Sequence, residues 1–325
     1  MRRVAATRRF CSAFALAALA LCAAGGLSFA QDYPSRFIRV IVGPGPDITA
    51  RLFGPKITEA LGQQVVIEPR PGAGGTIAAQ AVAGAPPDGY TLLLASASYT
   101  INTALAQSPL DLGRDFAPIA LLATVPFVLV VHPSVEAKNL AELVALAKAK
   151  PGKLNYASSG IGTPPHLAGE LFKSMAGIDL VHVPFREANS ALNAVVSGAV
   201  EMMFSIASTA ASQIDGGKVR GIAVTSMSAS PLVPGLPAMA EAGLAGFSVL
   251  GWNGLVAPKG TPPAIVAKLN SAVIRGLDDG ELRQRLVASG YEPAARNSPD
   301  DFARFIQADT AKWVALVEQT KMKGQ

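Results

Sequence analysis

The sequence predicts an α/β protein of two similar lobes, each an open and mostly parallel β-sheet flanked by helices. Three observations carry this prediction. Short β-rich runs alternate with helical patterns from residue 33 onward, as parallel α/β sheets require. A unit of strand, Gly/Pro-rich loop, helix and strand occurs twice, at residues 38–71 and 153–185. At 325 residues the chain is also long enough to bury the cores of two lobes.

Strands are predicted wherever a short apolar run ends near Gly, Pro or Ser. They lie at residues 37–42, 65–69, 90–96, 127–133, 154–159, 180–185, 200–205, 219–226 and 249–258. Helical spacing of apolar residues fills the intervals, and two helices close the chain at 262–278 and 298–322. Pro55 should kink or restart the first helix, because proline lacks the N–H that a helix interior needs.

Residues 1–30 are predicted to be a signal peptide. Four arginines precede an apolar stretch at 10–21 that is too short to cross a bilayer. Small residues at Ser28 and Ala30 predict cleavage after Ala30. The general secretory route and the twin-arginine route both remain open. We therefore expect an exported protein.

Removal of that leader changes what the composition implies. The four arginines leave with it, so the balance of 28 basic to 23 acidic residues falls to 24 against 23. A nearly neutral chain has no electrostatic basis for binding nucleic acid. Both cysteines, Cys11 and Cys22, lie in the leader. The remaining chain therefore has neither a disulfide nor a thiol nucleophile.

The stretch NYASSGIGTPPHLAGE at residues 155–170 is the first candidate site. Thr163 suits a helix N-cap and Pro164 suits a first helical turn. A helix N-terminus binds anions through free N–H groups and its dipole, which requires no lysine or arginine. The candidate contacts are Ser158, Ser159, Gly160, Gly162, Thr163 and His166. The residues alone allow two interpretations, an anion site or a loop that only caps its helix.

Other chemistries fit the same loop poorly. Serine hydrolases place the nucleophile in G-x-S-x-G, whereas the order here is Ala157-Ser158-Ser159-Gly160. Pro165 occupies the third glycine position of a dinucleotide fingerprint, and the Gly-Lys-Ser/Thr ending of a P-loop is absent. Three dispersed histidines without cysteines predict no metal site, and no motif predicts a cofactor.

Four stretches resemble one family of bacterial receptors. They are VVIEPRPGAGGTIAAQAVAGAPPDGYTLLLAS, DFAPIALLATVPFVLVVHPS, LNYASSGIGTPPHLAGELFKSMAGIDLVHVPF and VRGIAVTS. From residue 33 to 320 the chain is similar to the Bug family, the extracytoplasmic receptors of tripartite tricarboxylate transporters. The resemblance implies a type II periplasmic binding fold with a carboxylate in the cleft between its lobes. It places lobe 1 at 31–130 plus 250–325 and lobe 2 at 131–249.

Two positions depart from the pattern that this family implies. The first-lobe loop is the short GPGPD of residues 43–47. Because proline lacks an N–H, only Gly43, Gly45 and Asp47 can donate from that loop. Ser205 stands where many relatives carry aspartate, so an ammonium group on the ligand would lack a partner. Both departures favour a ligand with one carboxylate and an apolar body over citrate-like acids and amino acids.

Position in the chain adds further candidates for the cleft. Ser96, Ser98 and Tyr99 leave the carboxyl end of the third predicted strand. Asn189 begins the helix that follows the sixth predicted strand. Ligands of open α/β sheets bind beyond the carboxyl ends of strands. Two lobes that face each other would therefore bring these residues and both loops to one cleft.

Three functions compete at this point. The resemblance implies a periplasmic receptor that captures a small carboxylate and delivers it to membrane subunits of a tripartite tricarboxylate transporter. A sensor that acts on the ectodomain of a two-component kinase is the alternative within the same class. An exported enzyme is the alternative outside it, although no catalytic residue is predicted. The protein is expected to be a monomer that binds no nucleic acid.

Overall fold

The computed structural model describes residues 33–43, 47–72, 75–105 and 108–320. The predicted signal peptide, its cleavage site and Gly45 lie outside the described residues. The first part of the chain forms β1 (Ile38–Val42), α1 (Ile48–Leu61), β2 (Val65–Pro69), α2 (Thr76–Ala83), β3 (Thr91–Ser96), α3 (Ala97–Ala104) and α4 (Leu112–Asp115).

The middle of the chain forms β4 (Phe116–Val131), α5 (Leu140–Ala149), β5 (Asn155–Ser158), α6 (Pro164–Ala176), β6 (Val181–Pro184), α7 (Ala188–Val196), β7 (Met202–Ile206), α8 (Ala207–Asp215) and β8 (Arg220–Val224). The last part forms β9 (Leu250–Pro258), α9 (Pro263–Asp278), α10 (Gly280–Ala288), β10 (Glu292–Pro293) and α11 (Pro299–Thr320). The predicted alternation of strands and helices is confirmed.

Two mixed sheets share strand β4. The first has the order β2-β1-β3-β9-β4, with β1, β2 and β3 parallel and β9 antiparallel to both of its neighbours. The second has the order β6-β5-β7-β4, with β5, β6 and β7 parallel and β4 antiparallel to β7. Strands β10 and β8 pair with β4 in the first and the second sheet. Each sheet is thus a three-stranded parallel unit completed by antiparallel strands.

The carboxyl ends of the parallel strands set where a site can form. Strands β1, β2 and β3 lead directly into α1, α2 and α3, and β5, β6 and β7 lead into α6, α7 and α8. Since the strands of each triplet are parallel, the three following helices begin at one edge of their sheet. Each lobe therefore gathers three helix N-termini at one edge.

The sequence predictions miss some features of the strands and helices. Strand β4 begins at Phe116, well before the predicted start at residue 127. The prediction began too late because Pro118 and Pro126 interrupt the apolar run of this strand. The register between β4 and β9 shifts just after Pro118, so the ladder accommodates a residue that has no N–H to donate. Helix α1 continues through Pro55, so the predicted restart is absent. Strand β10 and helix α10 were not predicted.

Strand β4 passes from one sheet to the other between Pro126 and Phe127. Pro126 pairs with Leu250 of β9, and Phe127 pairs with Ile206 of β7. A proline has no N–H to donate to the neighbouring strand, so the pairing of β4 with the first sheet ends at this residue.

Thr225 then joins the two crossing segments. Its buried hydroxyl accepts from the Phe127 N–H at 2.9 Å and donates to the Val249 carbonyl at 2.6 Å. Backbone bonds from the Thr225 N–H to Phe127 O and from the Val249 N–H to Thr225 O complete the junction.

The C-terminal helix α11 is attached to the first lobe through the buried carboxylate of Asp309. Asp309 accepts hydrogen bonds from the Trp252 indole N–H at 3.0 Å and the Thr100 hydroxyl at 2.7 Å. Lys312 lies 2.8 Å from the other carboxylate oxygen, so the buried charge has a cationic partner. Asp309 therefore fixes α11 to β9 and to α3, the helix that carries Ser98 and Tyr99.

We expect Thr225→Val to destabilise the protein through this junction. The substitution keeps the size of the side chain but leaves the buried Phe127 N–H without a partner, which costs about 1–3 kcal/mol. Equilibrium unfolding in urea measures the loss. Thr103→Val is the matched control, because within the described part of the chain the Thr103 hydroxyl donates to backbone carbonyls and accepts from no N–H. Equal effects of the two substitutions would contradict the assigned role of Thr225.

Candidate ligand-binding site

A cavity of about 370 Å³ lies in the second lobe, beyond the carboxyl ends of β5, β6 and β7. It is bounded by the first turns of α6, α7 and α8 and by the point where β4 enters the second sheet. Its lining residues are Phe127, Ser159, Thr163, Pro164, Pro165, Ala188, Asn189, Leu192, Met203, Phe204, Ser205, Ile206 and Thr209.

A larger groove, of about 680 Å³, lies elsewhere, along α11 and the start of β4. It is lined by Asp111, Asp300 and Arg304 among others, and it lies away from the carboxyl ends of the parallel strands. The smaller cavity is therefore the better candidate, because open α/β sheets bind ligands at those ends.

The lining of the cavity is apolar with a few neutral polar groups. Four of the predicted contacts lie in it: Ser159, Thr163, Asn189 and Ser205. Thr209 adds another hydroxyl. Among the described residues, none that lines this cavity carries a charged side chain. Hydrogen bonds to an anion would therefore come from hydroxyls, one amide and backbone N–H groups.

Helices α6, α7 and α8 begin at this cavity without side-chain caps. The side chains of their N-cap residues, Thr163, Glu187 and Ile206, accept no hydrogen bond from a first-turn N–H. In contrast, Asp111, Asn139 and Asp279 cap α4, α5 and α10 at other places in the fold. A helix N-terminus without a cap leaves N–H groups and its positive dipole end available to a bound anion.

The three helices differ in the donors that they offer. Pro164 and Pro165 take the first two positions of α6 and have no N–H, so this helix contributes mainly its dipole. The first residues of α7 and α8 keep their N–H groups. An anion in the cavity would therefore find more backbone N–H donors at α7 and α8 than at α6. The sequence interpretation, in contrast, emphasises residues 158–163.

The loop before α6 is held by bonds within itself. The Ser158 hydroxyl lies 2.6 Å from Nε2 of His182 and accepts from the Gly160 N–H at 3.1 Å. The Thr163 hydroxyl donates to the Gly160 carbonyl at 2.7 Å. Gly160 and Gly162 have φ of 124° and 75°, a conformation that side-chain-bearing residues rarely adopt. Ser158 is fully buried, and its side chain serves the loop, while Ser159 faces the cavity.

Two histidines pack behind this loop. His166 is 6% exposed, and its Nδ1 accepts from the Gly162 N–H at 3.2 Å. Its ring lies on that of His182, with centroids 4.2 Å apart, and His182 in turn stacks on Tyr156. Burial lowers the pKa of His166, and burial together with the charge of His166 lowers the pKa of His182 to about 4. His166 does not line the cavity.

The first-lobe candidates lie outside the cavity. The Tyr99 ring packs against Gly43 and Gly75, where an added Cβ would come within 3.0 Å of it. Its buried hydroxyl has no partner among the described residues, and burial raises its pKa. Asp47 forms an ion pair with Arg51 at 2.5 Å, and this partner lowers the pKa of the carboxyl.

Ser96 and Ser98 stand at the start of α3, partly exposed. Helices α1, α2 and α3 also lack side-chain caps. The roles of Gly43, Asp47, Ser96, Ser98 and Tyr99 in binding stay predictions.

The two lobes touch beside the cavity. A Cβ at Gly162 would lie 3.1 Å from Leu105, at the end of α3. A Cβ at Gly290 would lie 2.2 Å from the Ser208 hydroxyl, in the first turn of α8. Both glycines have a positive φ and no side chain, so the facing segments approach closely at these two positions. These contacts place the second-lobe cavity next to the first lobe.

Known proteins of similar sequence identify the family of this chain. The profile of the tripartite tricarboxylate transporter family receptor, TctC, matches residues 49–322. The protein BugT of Bordetella pertussis is 32% identical over 301 residues, which cover 90% of this chain and 92% of that protein. The chain belongs to the TctC receptor family. The predicted resemblance to the Bug family is confirmed.

Two solved structures of TctC-type proteins show the two-lobed fold. Rpa4515 of R. palustris, determined with adipate, is 32% identical with a TM-score of 0.74 and covers 88% of this chain and 98% of its own. MatC (Rpa3494) from Rhodopseudomonas palustris, determined with malate, is 35% identical with a TM-score of 0.71 and covers 88% of this chain and 100% of its own. The two-lobed α/β prediction is confirmed.

The sequence interpretation missed most of the wall of this TctC-receptor cavity. The wall includes five apolar residues that the sequence pattern predicts only as core: Phe127, Leu192, Met203, Phe204 and Ile206. Thr209 could have been found, because it lies in the first turn of a helix that starts directly after the strand that carries Ser205. The apolar residues carry no such signal.

Neither a metal-binding cluster nor a membrane-spanning helix is found among the described residues. Within the described ranges, no group of three or more His, Asp or Glu side chains is placed to hold a metal ion. In the same part of the chain, no helix combines the length and the apolar character needed to cross a bilayer. The predictions of no metal and no cofactor stay predictions.

We expect Asn189→Asp to weaken carboxylate binding at least about tenfold, because it places a like charge in a neutral site. An acidic residue in the first turn stabilises a helix, so the melting temperature should not fall. Isothermal calorimetry and a thermal melt measure the two effects. Asn193→Asp, on an exposed position one turn further along α7, is the control and should change affinity less than about twofold. Equal losses in both variants would contradict the assigned site.

Proposed function

We propose that this protein is a periplasmic receptor that captures a small organic carboxylate between its lobes. The family, described as the receptor of tripartite tricarboxylate transporters, supports an extracytoplasmic role. Three helix N-termini without side-chain caps around a cavity support an anionic ligand. Related proteins were determined with adipate and with malate.

The ligand is proposed to have one carboxylate and an apolar or aromatic body. The observation that carries this is that the described residues lining the cavity include no charged side chain. One carboxylate can be held by hydroxyls and the N–H groups of α7 and α8. A second or third buried carboxylate would need further donors, and an unpaired buried charge is costly. Phe127, Leu192, Met203 and Phe204 supply the apolar wall.

A competition screen tests the ligand class at neutral pH. Benzoate, phenylacetate and hexanoate should bind more tightly than citrate, glutamate, malate and adipate, for the reason just given. Calorimetric titration ranks the affinities. The proposed ligand class is wrong if any of the acids with two or more carboxylates binds more tightly than every monocarboxylate. Such a result would leave the receptor role intact.

The receptor role has a separate test. Bound acid should be recovered unchanged after prolonged incubation, because the proposed role is capture without turnover. Chromatography of the recovered acid measures this. Conversion of the acid to a product would overturn the receptor role in favour of an exported enzyme.

We further propose that the receptor delivers its ligand to the membrane subunits of a tripartite tricarboxylate transporter. The family description supports this partner. Uptake of labelled acid by vesicles that contain those subunits should require the loaded receptor. Stimulation of a sensor kinase by the loaded receptor, without uptake, would favour the sensor instead.

Binding is expected to close the lobes about the segments at 126–133 and 248–256. Ile161 and Ile206 are 41% and 37% exposed, although Ile206 lines the cavity. Closure over a ligand would bury this apolar surface, and a ligand that touches both lobes favours only the closed state. Small-angle scattering should show a smaller radius of gyration with bound ligand. An unchanged curve at saturation would show that binding is confined to one lobe.

A further inference from the structure

We propose that His166 and His182 are positioning residues that hold the loop at 158–163 in its ligand-binding form as a pair of neutral imidazoles packed against each other. The loop carries Ser159 and Thr163 into the cavity, whereas the two imidazoles lie behind it. The pair therefore acts on the ligand through the loop. The proposal rests on the proposed function for its binding readout but not for its structural readout.

The contacts divide the loop between the two rings. His166 Nδ1 accepts from the Gly162 N–H at 3.2 Å, and His182 Nε2 meets the Ser158 hydroxyl at 2.6 Å. That hydroxyl in turn accepts from the Gly160 N–H. His166 thus supplies the partner of the Gly162 N–H directly, whereas His182 reaches the Gly160 N–H only through Ser158, whose hydroxyl also donates to the Gly160 carbonyl at 3.2 Å.

The contact at Gly162 fixes the protonation of His166. An acceptor Nδ1 carries no proton, so the ring must be the neutral form with its proton on Nε2. A second proton on Nδ1 would turn the acceptor into a donor that faces the Gly162 N–H. The loop therefore loses this bond when His166 is charged.

The surroundings of the pair favour its neutral form. Two charged rings with centroids 4.2 Å apart would repel each other, and both rings are removed from water. Glu170 and Lys173 on α6 act on both rings with opposite sign, and they are paired with each other at 3.0 Å. The Tyr156 hydroxyl on β5 also donates to Glu170 at 2.7 Å, so this carboxylate has two partners other than the imidazoles.

The sign of the resulting pH dependence follows from the lowered pKa values. Because the folded pKa of His182 is about 4, below the ordinary 6.5, the stability from the neutral ring is complete above about pH 6.5. It is lost as the pH falls toward 4. The native loop should stay intact to about pH 5 and open near pH 4.

The test compares variants that keep or remove the acceptor. Asparagine places an oxygen near the position of Nδ1 and glutamine near that of Nε2, so His166→Asn and His182→Gln retain the bond without titrating. His166→Leu and His182→Phe fill the space but cannot accept. Hydrogen exchange of the Gly160 and Gly162 amides in the unliganded protein reports the loop directly. Benzoate and adipate titrations report binding.

We expect His166→Leu to speed exchange at Gly162 and to weaken binding, each by about tenfold or more, since a partly buried N–H loses its partner. His182→Phe should act in the same direction but less strongly at Gly160, because the Ser158 hydroxyl that accepts from this N–H remains. His166→Asn and His182→Gln should restore both values to within about threefold of wild type. Their affinity relative to wild type should rise as the pH falls below 5, and this ratio cancels the titration of the acid itself.

His132, which contacts Ser134 away from the cavity, offers the control. His132→Asn should change neither exchange nor binding. The proposal is overturned if His166→Leu behaves as wild type, or if His166→Asn is as impaired as His166→Leu, because a merely structural role would not distinguish them. If wild type binds neither acid, the proposed ligand class fails, and amide exchange still decides the role of the histidines.

Discussion

The structure depends on one crossing of the chain between two sheets. Strand β4 ends its pairing with β9 at Pro126 and begins its pairing with β7 at Phe127. Proline cannot continue the first ladder, and the Phe127 N–H turns instead to the Thr225 hydroxyl. The same hydroxyl binds the returning chain at Val249. Both connections between the lobes therefore meet at one buried side chain, beside the cavity that Phe127 helps to line.

The chemistry of the cavity follows from the order of strands around that crossing. Parallel β5, β6 and β7 end at one edge, so the helices that follow them all begin there. Their N-termini lack side-chain caps, whereas helices that begin elsewhere, such as α5 and α10, are capped by Asn139 and Asp279. The N-termini of α6, α7 and α8 thus keep their positive dipole ends at the cavity, whereas those of α5 and α10 are satisfied by side chains. Neutral residues complete the lining, in agreement with the proposed ligand of one carboxylate and an apolar body.

The loop at 158–163 shows how a binding surface is supported from behind. Its glycines adopt a conformation that gives it a tight path, and its serine and threonine bind its own backbone. Two imidazoles pack behind the loop: His166 accepts from the Gly162 N–H, and His182 contacts the Ser158 hydroxyl. Burial in this layer lowers the pKa of both histidines, so that the support is neutral at ordinary pH. Ligand contact and loop support are thereby separate tasks of neighbouring residues.

The sequence by itself determined the alternation of strands and helices and the family. These depend on local patterns: apolar period, helix-start residues and the repeated unit at 38–71 and 153–185. It also identified Ser159, Thr163, Asn189 and Ser205, since each stands at the end of a strand or the start of a helix.

Only the tertiary structure decided which other residues join them. Ser158 turns away to His182, Tyr99 packs on Gly43 and Gly75, and Phe127 and Leu192 enter the wall. The direction of a side chain and the meeting of residues from distant strands depend on sheet register and on the crossing at Phe127. No local pattern in the sequence encodes either one.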